Sequence, residues 1–378
     1  VLQGIRVVEL AAVGPVPFAA MLLADLGADV IRIDRMPGTD PYGGPAGHDG
    51  PLGRGRRSVA LDLRTPDGVA LARRLVATAD VVLEGYRPGV LERLGLDPAA
   101  LRAEHPALVV GRMTGFGQDG PDAPMAGHDL TYLAVAGVLH GLGMPGERPV
   151  PPMNLVADFG GGAAMLVTGV LAALVARART GEGRVVDVAM ADGAAYLATM
   201  PRAMLAAGLW RDERGVNLLD GGAPNYRCYR TADDRYVAVA AVEPQFWAAC
   251  CALLGLDPAE LPSPYDPTHW PVLAERLAAV LQTRTRDEWA SAAAGTDACL
   301  APVLTMAEAP TYAHHQQRGT FTTVAGTVVA AAPLRFDGAA PPVAADPVPA
   351  GADTADVLAE LGVDASELNA LRAAGTVA

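Results

Sequence analysis

The sequence predicts an α/β protein, with a larger domain on a parallel sheet and a smaller α+β domain. Short β-branched runs alternate with helical patterns over residues 5–113, the signature of βαβ units. A second regime starts after the turn-rich stretch 219–225, where two strands precede three helices. The length of 378 residues, at ~150 residues per domain, fits two or three domains with ample apolar core.

The elements can be justified in order. Strands are expected at 5–10, 30–34, 59–63, 81–84 and 108–113, with helices at 17–26 and 66–77 between them. Pro88 and the Leu96-Asp97-Pro98 turn mark helix starts, with proline in the first turn and Asp97 as a cap. The longest uncharged run, 159–176, reaches the low end of a membrane span. It carries four glycines and a threonine between Asp158 and Arg177, so it reads as a buried core helix. A helix over 194–209 precedes the break. The smaller domain then takes strands 226–231 and 236–242 and helices 244–254, 270–282 and 286–294. The proline- and alanine-rich stretch 330–350 reads as a surface linker, and 354–374 as a closing amphipathic helical pair.

Composition narrows the function classes. A hydrophobic fraction of 51% argues against disorder, and a net charge of -13 argues against nucleic acid or an anionic membrane as partner. Every basic side chain that carries a full charge is arginine, so Schiff-base chemistry on a lysine is excluded. Cys228, Cys250, Cys251 and Cys299 show no metal-ligand spacing, and Cys250 and Cys251 fall in an apolar helical pattern, so reduced, buried thiols are expected. His314 and His315 have no carboxylate at metal spacing, and no metal site is expected. The first strand has no basic region, apolar segment or cleavage site before it, which makes the cytoplasm the expected compartment.

Two strings concentrate the chemistry: Gly127-His128-Asp129-Leu130-Thr131-Tyr132 and Asn154-Leu155-Val156-Ala157-Asp158-Phe159-Gly160-Gly161-Gly162. Taken alone, a histidine at a helix start is more often a structural hydrogen-bonding residue. Asp158 before three glycines reads alone as a helix cap. Together they offer one imidazole and one carboxylate to a single site. A second histidine, His48, sits in a Gly-His-Asp triplet within the glycine- and proline-rich loop 40–53 and is expected to face solvent.

Arginines cluster locally in this acidic chain. Arg54, Arg56, Arg57 and Arg64 flank the strand 59–63, Arg35 ends another strand, and Arg87 follows Glu84-Gly85-Tyr86. Such a cluster suits phosphates, against the alternative of solvated arginines at a sheet edge. The run Gly115-Phe116-Gly117-Gln118-Asp119-Gly120 matches the dinucleotide fingerprint, but Pro121 and Pro124 disfavour the helix that should follow. It reads instead as a flexible active-site loop.

The two strings and their order resemble the α-methylacyl-coenzyme A racemases, a branch of the family III coenzyme A transferases. The resemblance extends through Glu84 to Gly89, Leu218 to Pro224, Glu243 to Phe246 and Thr296-Asp297-Ala298-Cys299, most of the chain. Thr131 stands where these racemases usually carry asparagine and Trp247 where they carry tyrosine, which bears on substrate preference.

This resemblance implies an architecture: a Rossmann-like, CoA-binding large domain from residues 1–200 and 325–378, and a small domain, 215–324, that completes the partner's active site in an interlocked homodimer. It also implies site roles. His128 and Asp158 would be the two bases that invert the carbon next to a thioester, and Glu243 would orient His128. Tyr132 and Asn154 would support the bases, and backbone N–H groups of the helix opening at Asp129 would face the thioester oxygen. Arg35, Ala60, Leu61, Asp62, Leu63 and Arg64 would hold the nucleotide end of the acyl-CoA, with Arg87 among the phosphate cations, while Gly127, Leu130 and Thr131 touch the acyl end. No separate cofactor is implied, because CoA is part of the substrate. The alternatives are a transferase of the same fold that uses Asp158 as the acyl-accepting nucleophile, and a non-catalytic acyl-CoA-binding subunit, which needs no such pair.

Overall fold

The structure is a computed structural model that describes residues 1–37 and 50–378. His48 and most of the loop 40–53 lie outside the described residues. The chain divides into two units. The first comprises Val1–Ala136, Met153–Leu197 and Ala313–Ala378, and the second Gly137–Pro152 and Ala198–Tyr312. The second unit thus takes in residues 137–152 and 198–214, which the sequence reading did not assign to the small domain, and ends before 324.

The first unit is built on β1 (Arg6–Leu10), α1 (Pro15–Asp25), β2 (Asp29–Asp34), β3 (Arg56–Ala60), α2 (Pro66–Val76), β4 (Val81–Glu84), α3 (Val90–Arg93), α4 (Pro98–Glu104), β5 (Val109–Thr114) and α5 (Asp129–Val135). A π-helical stretch, Leu155–Ala163, then runs into α6 (Ala164–Thr180), followed by β6 (Val185–Ala189) and α7 (Met190–Leu197). The six strands form one sheet in the order β3-β2-β1-β4-β5-β6, and every pairing is parallel. Chain direction across the sheet reverses between β1 and β4. In open α/β sheets a crevice at the carboxyl ends of the strands on either side of such a switch is where ligands bind.

The apolar runs of β1, β2, β4 and β5 are buried on both faces, as a parallel sheet covered by helices requires. On one face, Val8, Leu10, Ile31 and Ile33 pack with Leu71 and Leu75 of α2, Leu91 of α3 and Leu101 of α4. Val357 and Leu358 of the C-terminal segment join the same cluster. On the other face α6 lies along β5 and β6, with Leu166, Val167, Val170 and Ala173 buried. The segment Leu155–Thr180 is long and apolar enough to cross a membrane by length and composition. Here one face of it packs on the sheet while most of its residues are not buried, so the buried core helix expected for 159–176 is met only on that face.

Local departures from the sequence reading have physical causes. The strand expected at 59–63 is Arg56–Ala60, because β2 pairs from Val30 with Arg56 to Asp34 with Ala60. The helix expected at 194–209 is two helices, α7 and α8 (Thr199–Ala206). α7 starts at Met190 and crosses the π-helix closely: a Cβ on Gly193 would lie 1.9 Å from the Gly161 carbonyl oxygen.

The second unit carries an antiparallel sheet of β7 (Tyr226–Arg230), β8 (Tyr236–Ala240) and β9 (Leu300–Pro302), with helices α9 (Pro244–Leu254), α10 (Trp270–Leu281) and α11 (Arg286–Ala293). Its core holds Val237, Trp247, Cys250, Cys251, Leu273, Leu277, Leu281 and Trp289. All four cysteines are free thiols. Cys250 and Cys251 are buried as expected, but Cys228 and Cys299 are exposed, which corrects the expectation of burial for these two.

Candidate active site

Asp158 is not the helix cap that its sequence position suggests. The helix begins at Leu155, and Asp158 sits in its wide first turns. π-Helical turns recur at functional sites, where they redirect a side chain at some cost in backbone packing. The Asn154 cap position makes no side-chain cap bond. The orphan donors are met from elsewhere: Asp129 Oδ2 accepts from the Ala157 N–H at 2.7 Å and from the Asp158 N–H at 2.9 Å. Phe159 is stacked on Phe18 of α1 at 4.5 Å between ring centroids, which fixes the turn against the start of the sheet. A Cβ on Gly14, the residue before α1, would lie 3.9 Å from Asp158 Oδ2. Asp158 therefore stands over the carboxyl end of β1, beside the switch point.

His128 is the residue before α5, in extended backbone, and is exposed in the isolated chain. The Thr131 hydroxyl closes this turn, accepting from the His128 N–H at 3.0 Å and donating to the His128 carbonyl at 2.8 Å. Thr131 thus has a structural task at the helix start. Burial pushes the Asp158 carboxyl above the usual carboxylate range, and the Asp129 charge pushes it further. The Asn154 amide, 3.5 Å from Asp158 Oδ2, and the His128 charge act in the opposite sense.

Tyr132 is buried, and its phenol is pushed up to about 12 by burial and by the Asp158 charge, with Arg87 opposing. Its ring occupies space left by two glycines: a Cβ on Gly115 or Gly127 would lie 2.3 or 2.5 Å from Tyr132 Cε1. Phe116 meets the same ring edge-on at 5.2 Å. Gly115 and Phe116, from the motif that mimics a dinucleotide fingerprint, so serve to seat a tyrosine. Leu130 is exposed on α5 and Gly127 half-buried before it.

A cavity of about 320 Å³ opens at the carboxyl ends of β2, β3 and β4. It is lined by Ile33, Asp34, Arg35, Met36, Leu61, Asp62, Leu63, Arg64, Tyr86, Val90 and Leu94. Five of the residues expected to hold a nucleotide are among these: Arg35, Leu61, Asp62, Leu63 and Arg64. Ala60 ends the strand just before them. Tyr86, Met36, Val90 and Leu94 were not anticipated. A signal existed for Tyr86, which lies inside the Glu84–Gly89 string. Arg64 is 78% exposed and is held bidentately by Asp62 at 2.8 Å.

Three arginines of the expected cluster are committed elsewhere. Arg54 pairs with Asp25 through two bonds, 2.9 and 2.6 Å, and Arg56 is buried against Glu9. Arg57 holds Asp29 and Glu360, and these contacts raise its guanidinium above its usual range. Arg54 and Arg56 are neutralised by buried carboxylates and Arg57 by two partly exposed ones, which makes them poor phosphate ligands. Among the described residues of the cluster, Arg35, Arg87 and the exposed Arg64, which is held only by its neighbour Asp62, remain toward this end of the sheet.

Glu243 belongs to the second unit, where it is exposed and precedes α9, with Pro244 in the first turn. Burial raises the Tyr265 phenol and the Cys299 thiol, and the Glu243 charge adds to both shifts, which places all three in one neighbourhood.

A six-stranded parallel α/β sheet with an imidazole, a half-buried carboxylate and an arginine-rimmed cavity at its carboxyl edge is a frame for an anionic substrate worked on by acid–base groups. The chain belongs to the CoA-transferase family III, whose model matches residues 2–354. It is 44% identical to the alpha-methylacyl-CoA racemases of Mus musculus and Homo sapiens over 371 residues, 97% of this chain and 95% of each relative. Among solved structures it resembles a CAIB/BAIF family protein from Brucella suis, with a TM-score of 0.80 and 28% identity over 95% of this chain and 99% of that one.

Proposed function

We propose that this chain is a racemase that interconverts R and S 2-methylacyl-CoA thioesters, removing the α-proton on one face of the carbon and returning a proton on the other. The observation that carries this reading is the pairing of His128 with Asp158, a half-buried carboxyl whose environment favours its protonated form. Likeness over nearly the whole length to mouse and human proteins of that name supports it. Inversion needs a base and a conjugate acid on opposite sides of one carbon. With His128 neutral and Asp158 protonated, His128 takes the α-proton and Asp158 delivers one. The two groups then hold exchanged protonation states, and passage in the opposite sense or exchange with solvent restores them.

An α-proton beside a thioester is far too weakly acidic for either side chain unaided, so the enolate oxygen needs donors. Peptide N–H groups at Asp129 and Leu130 serve in this reading, since the first N–H groups of a helix have no partner within it. Tyr132 and Asn154 hold the two bases in place. The nucleotide end of the substrate lies with Arg35, Ala60, Leu61, Asp62, Leu63 and Arg64, Arg87 meets phosphate, and Gly127, Leu130 and Thr131 meet the acyl end. CoA enters as part of the substrate, with no separate cofactor. Glu243 orients His128 from the partner subunit of an interlocked homodimer.

The test is to incubate one enantiomer of a 2-methylacyl-CoA with the protein in deuterated buffer, without an acceptor acid, and follow the α-proton by NMR with chiral analysis. Loss of that signal together with appearance of the other enantiomer is expected. An untouched α-proton, with acyl exchange only on adding a free carboxylic acid and a hydroxylamine-trappable adduct on Asp158, overturns the reading in favour of a transferase.

A further inference from the structure

Among the described residues of the first unit, five carboxylates are buried: Glu9, Asp25, Asp34, Glu84 and Asp129. Four have an arginine. Arg56 meets Glu9, Arg54 meets Asp25, Arg32 meets Asp34, and Arg112 meets Glu84. Asp129, only 4% exposed, has no such cation among the described residues. Its Oδ2 takes the peptide N–H groups of Ala157 and Asp158, and its Oδ1 has no hydrogen-bond partner among the described residues. A buried acceptor left without a donor costs about 1–3 kcal/mol, and a buried charge without a cation costs more. An asparagine could accept the same two N–H bonds without a charge. Capping alone therefore does not account for a carboxylate here.

What the charge reaches is Asp158. We propose that Asp129 is a positioning residue: its Oδ2 fastens the turn that carries Asp158, and its buried negative charge biases Asp158 toward the protonated member of the acid–base pair. This rests on the racemase reading for its role in turnover, though not for its effect on Asp158 itself. Among the described residues, few groups face Asp158. α5 and the residue before it bring His128, Asp129 and Tyr132, and the π-helix brings Asn154. Arg87, after β4, acts on Tyr132. The carboxylate of α1, Asp25, is spent on Arg54, and Asp192 of α7 faces Asp187. The Asp129 charge is thus the strongest anionic influence on Asp158, and it acts from a buried position.

The test is Asp129→Asn, which keeps an acceptor for both N–H groups and removes the charge. Asp129→Ser, a smaller capping side chain, stands in should the amide not fold. The Asp158 carboxyl is titrated by 13C NMR in aspartate-labelled protein, with Asp158→Asn assigning its signal. In parallel, the pH profile of kcat/KM for racemisation is measured. The expected result is a midpoint for Asp158 lower by about one pH unit, and an acid limb of kcat/KM displaced downward by the same amount. At a pH below the original limb, that is about a tenfold gain relative to the plateau. An unmoved Asp158 midpoint overturns the proposal and leaves Asp129 a cap. Should Asp158→Asn still interconvert the two enantiomers, the racemase reading fails. The NMR midpoint then decides the Asp129 claim alone, a lowered value supporting it and an unchanged one overturning it.

Discussion

The ring of Tyr132 fills the space where a side chain on Gly115 would begin, with Tyr132 Cε1 only 2.3 Å from the place a Cβ would take. Gly115 directly follows β5, so the glycine lets a helix residue lie flat on the carboxyl edge of the sheet. Gly115→Ala should drive Tyr132 from this bed, at a cost of about 1–3 kcal/mol as for other overpacked sites, with racemisation falling alongside. Thermal unfolding and α-proton exchange check both. In the double variant with Tyr132→Ala the added methyl meets no ring, so the stability penalties should be far from additive. Additive penalties would mean that the ring is not what Gly115 accommodates.

Asp158 carries a stability cost that its chemistry explains. Its carboxyl is raised above 3.8 by burial first and by Asp129 second. A group with a raised folded-state value contributes stability that is present below its unfolded value and lost as pH rises through the folded one. Asp158→Asn should therefore raise the melting temperature at neutral pH. The gain should stay below about 1 kcal/mol, because the group is only half-buried and solvent screens it. It should fade as pH falls below the ordinary carboxylate range. Melting curves at neutral and acid pH test this, and an equal gain at both would remove the electrostatic explanation.

How much of this was legible in the sequence depends on where each group's partners lie. The strands β1, β2, β4 and β5 could be read because burial on both faces makes their apolar runs continuous. β6 was missed because it is the edge strand, with Val185 and Asp187 exposed and only Ala189 fully buried. The wide turn around Asp158 was illegible for a different reason: its capping acceptor is Asp129, 29 residues earlier on another helix. Likewise nothing local to Arg54 or Arg56 tells that Asp25 and Glu9 neutralise them, since those carboxylates come from α1 and β1. Arg35 and Arg64 could be read because they end at an open cavity rather than at a partner across the sheet.

That distinction separates two kinds of arginine by experiment. Arg54→Ala leaves Asp25 buried and unpaired, and breaking such a pair costs about 3–5 kcal/mol. It should lower stability strongly while leaving KM for the thioester nearly unchanged in whatever protein remains folded. Arg64→Ala, at an exposed side chain on the cavity rim, should leave stability within about 0.5 kcal/mol. It should raise KM several-fold with kcat little changed, the mark of lost uniform binding. The salt dependence of KM should weaken in the same variant. A KM effect for Arg54→Ala larger than that for Arg64→Ala would misplace the nucleotide.

The proposed interlocked homodimer makes the sharpest prediction, because it would put His128 and Glu243 of one working site on different chains. His128→Ala and Glu243→Gln should each lose most of the activity as homodimers. Co-expressed, they form mixed dimers in which one site joins the defective large unit to the defective small one. The other site joins the two intact units. The mixed dimer, isolated by two affinity tags, should therefore recover about half of the wild-type activity per dimer, a consequence of two-fold pairing between copies. If Glu243 serves His128 of its own chain, each site in the mixed dimer retains one defect and no recovery appears. The readout is α-proton exchange of a 2-methylacyl-CoA by the purified mixed species, compared with each homodimer at equal concentration so that subunit dissociation does not enter.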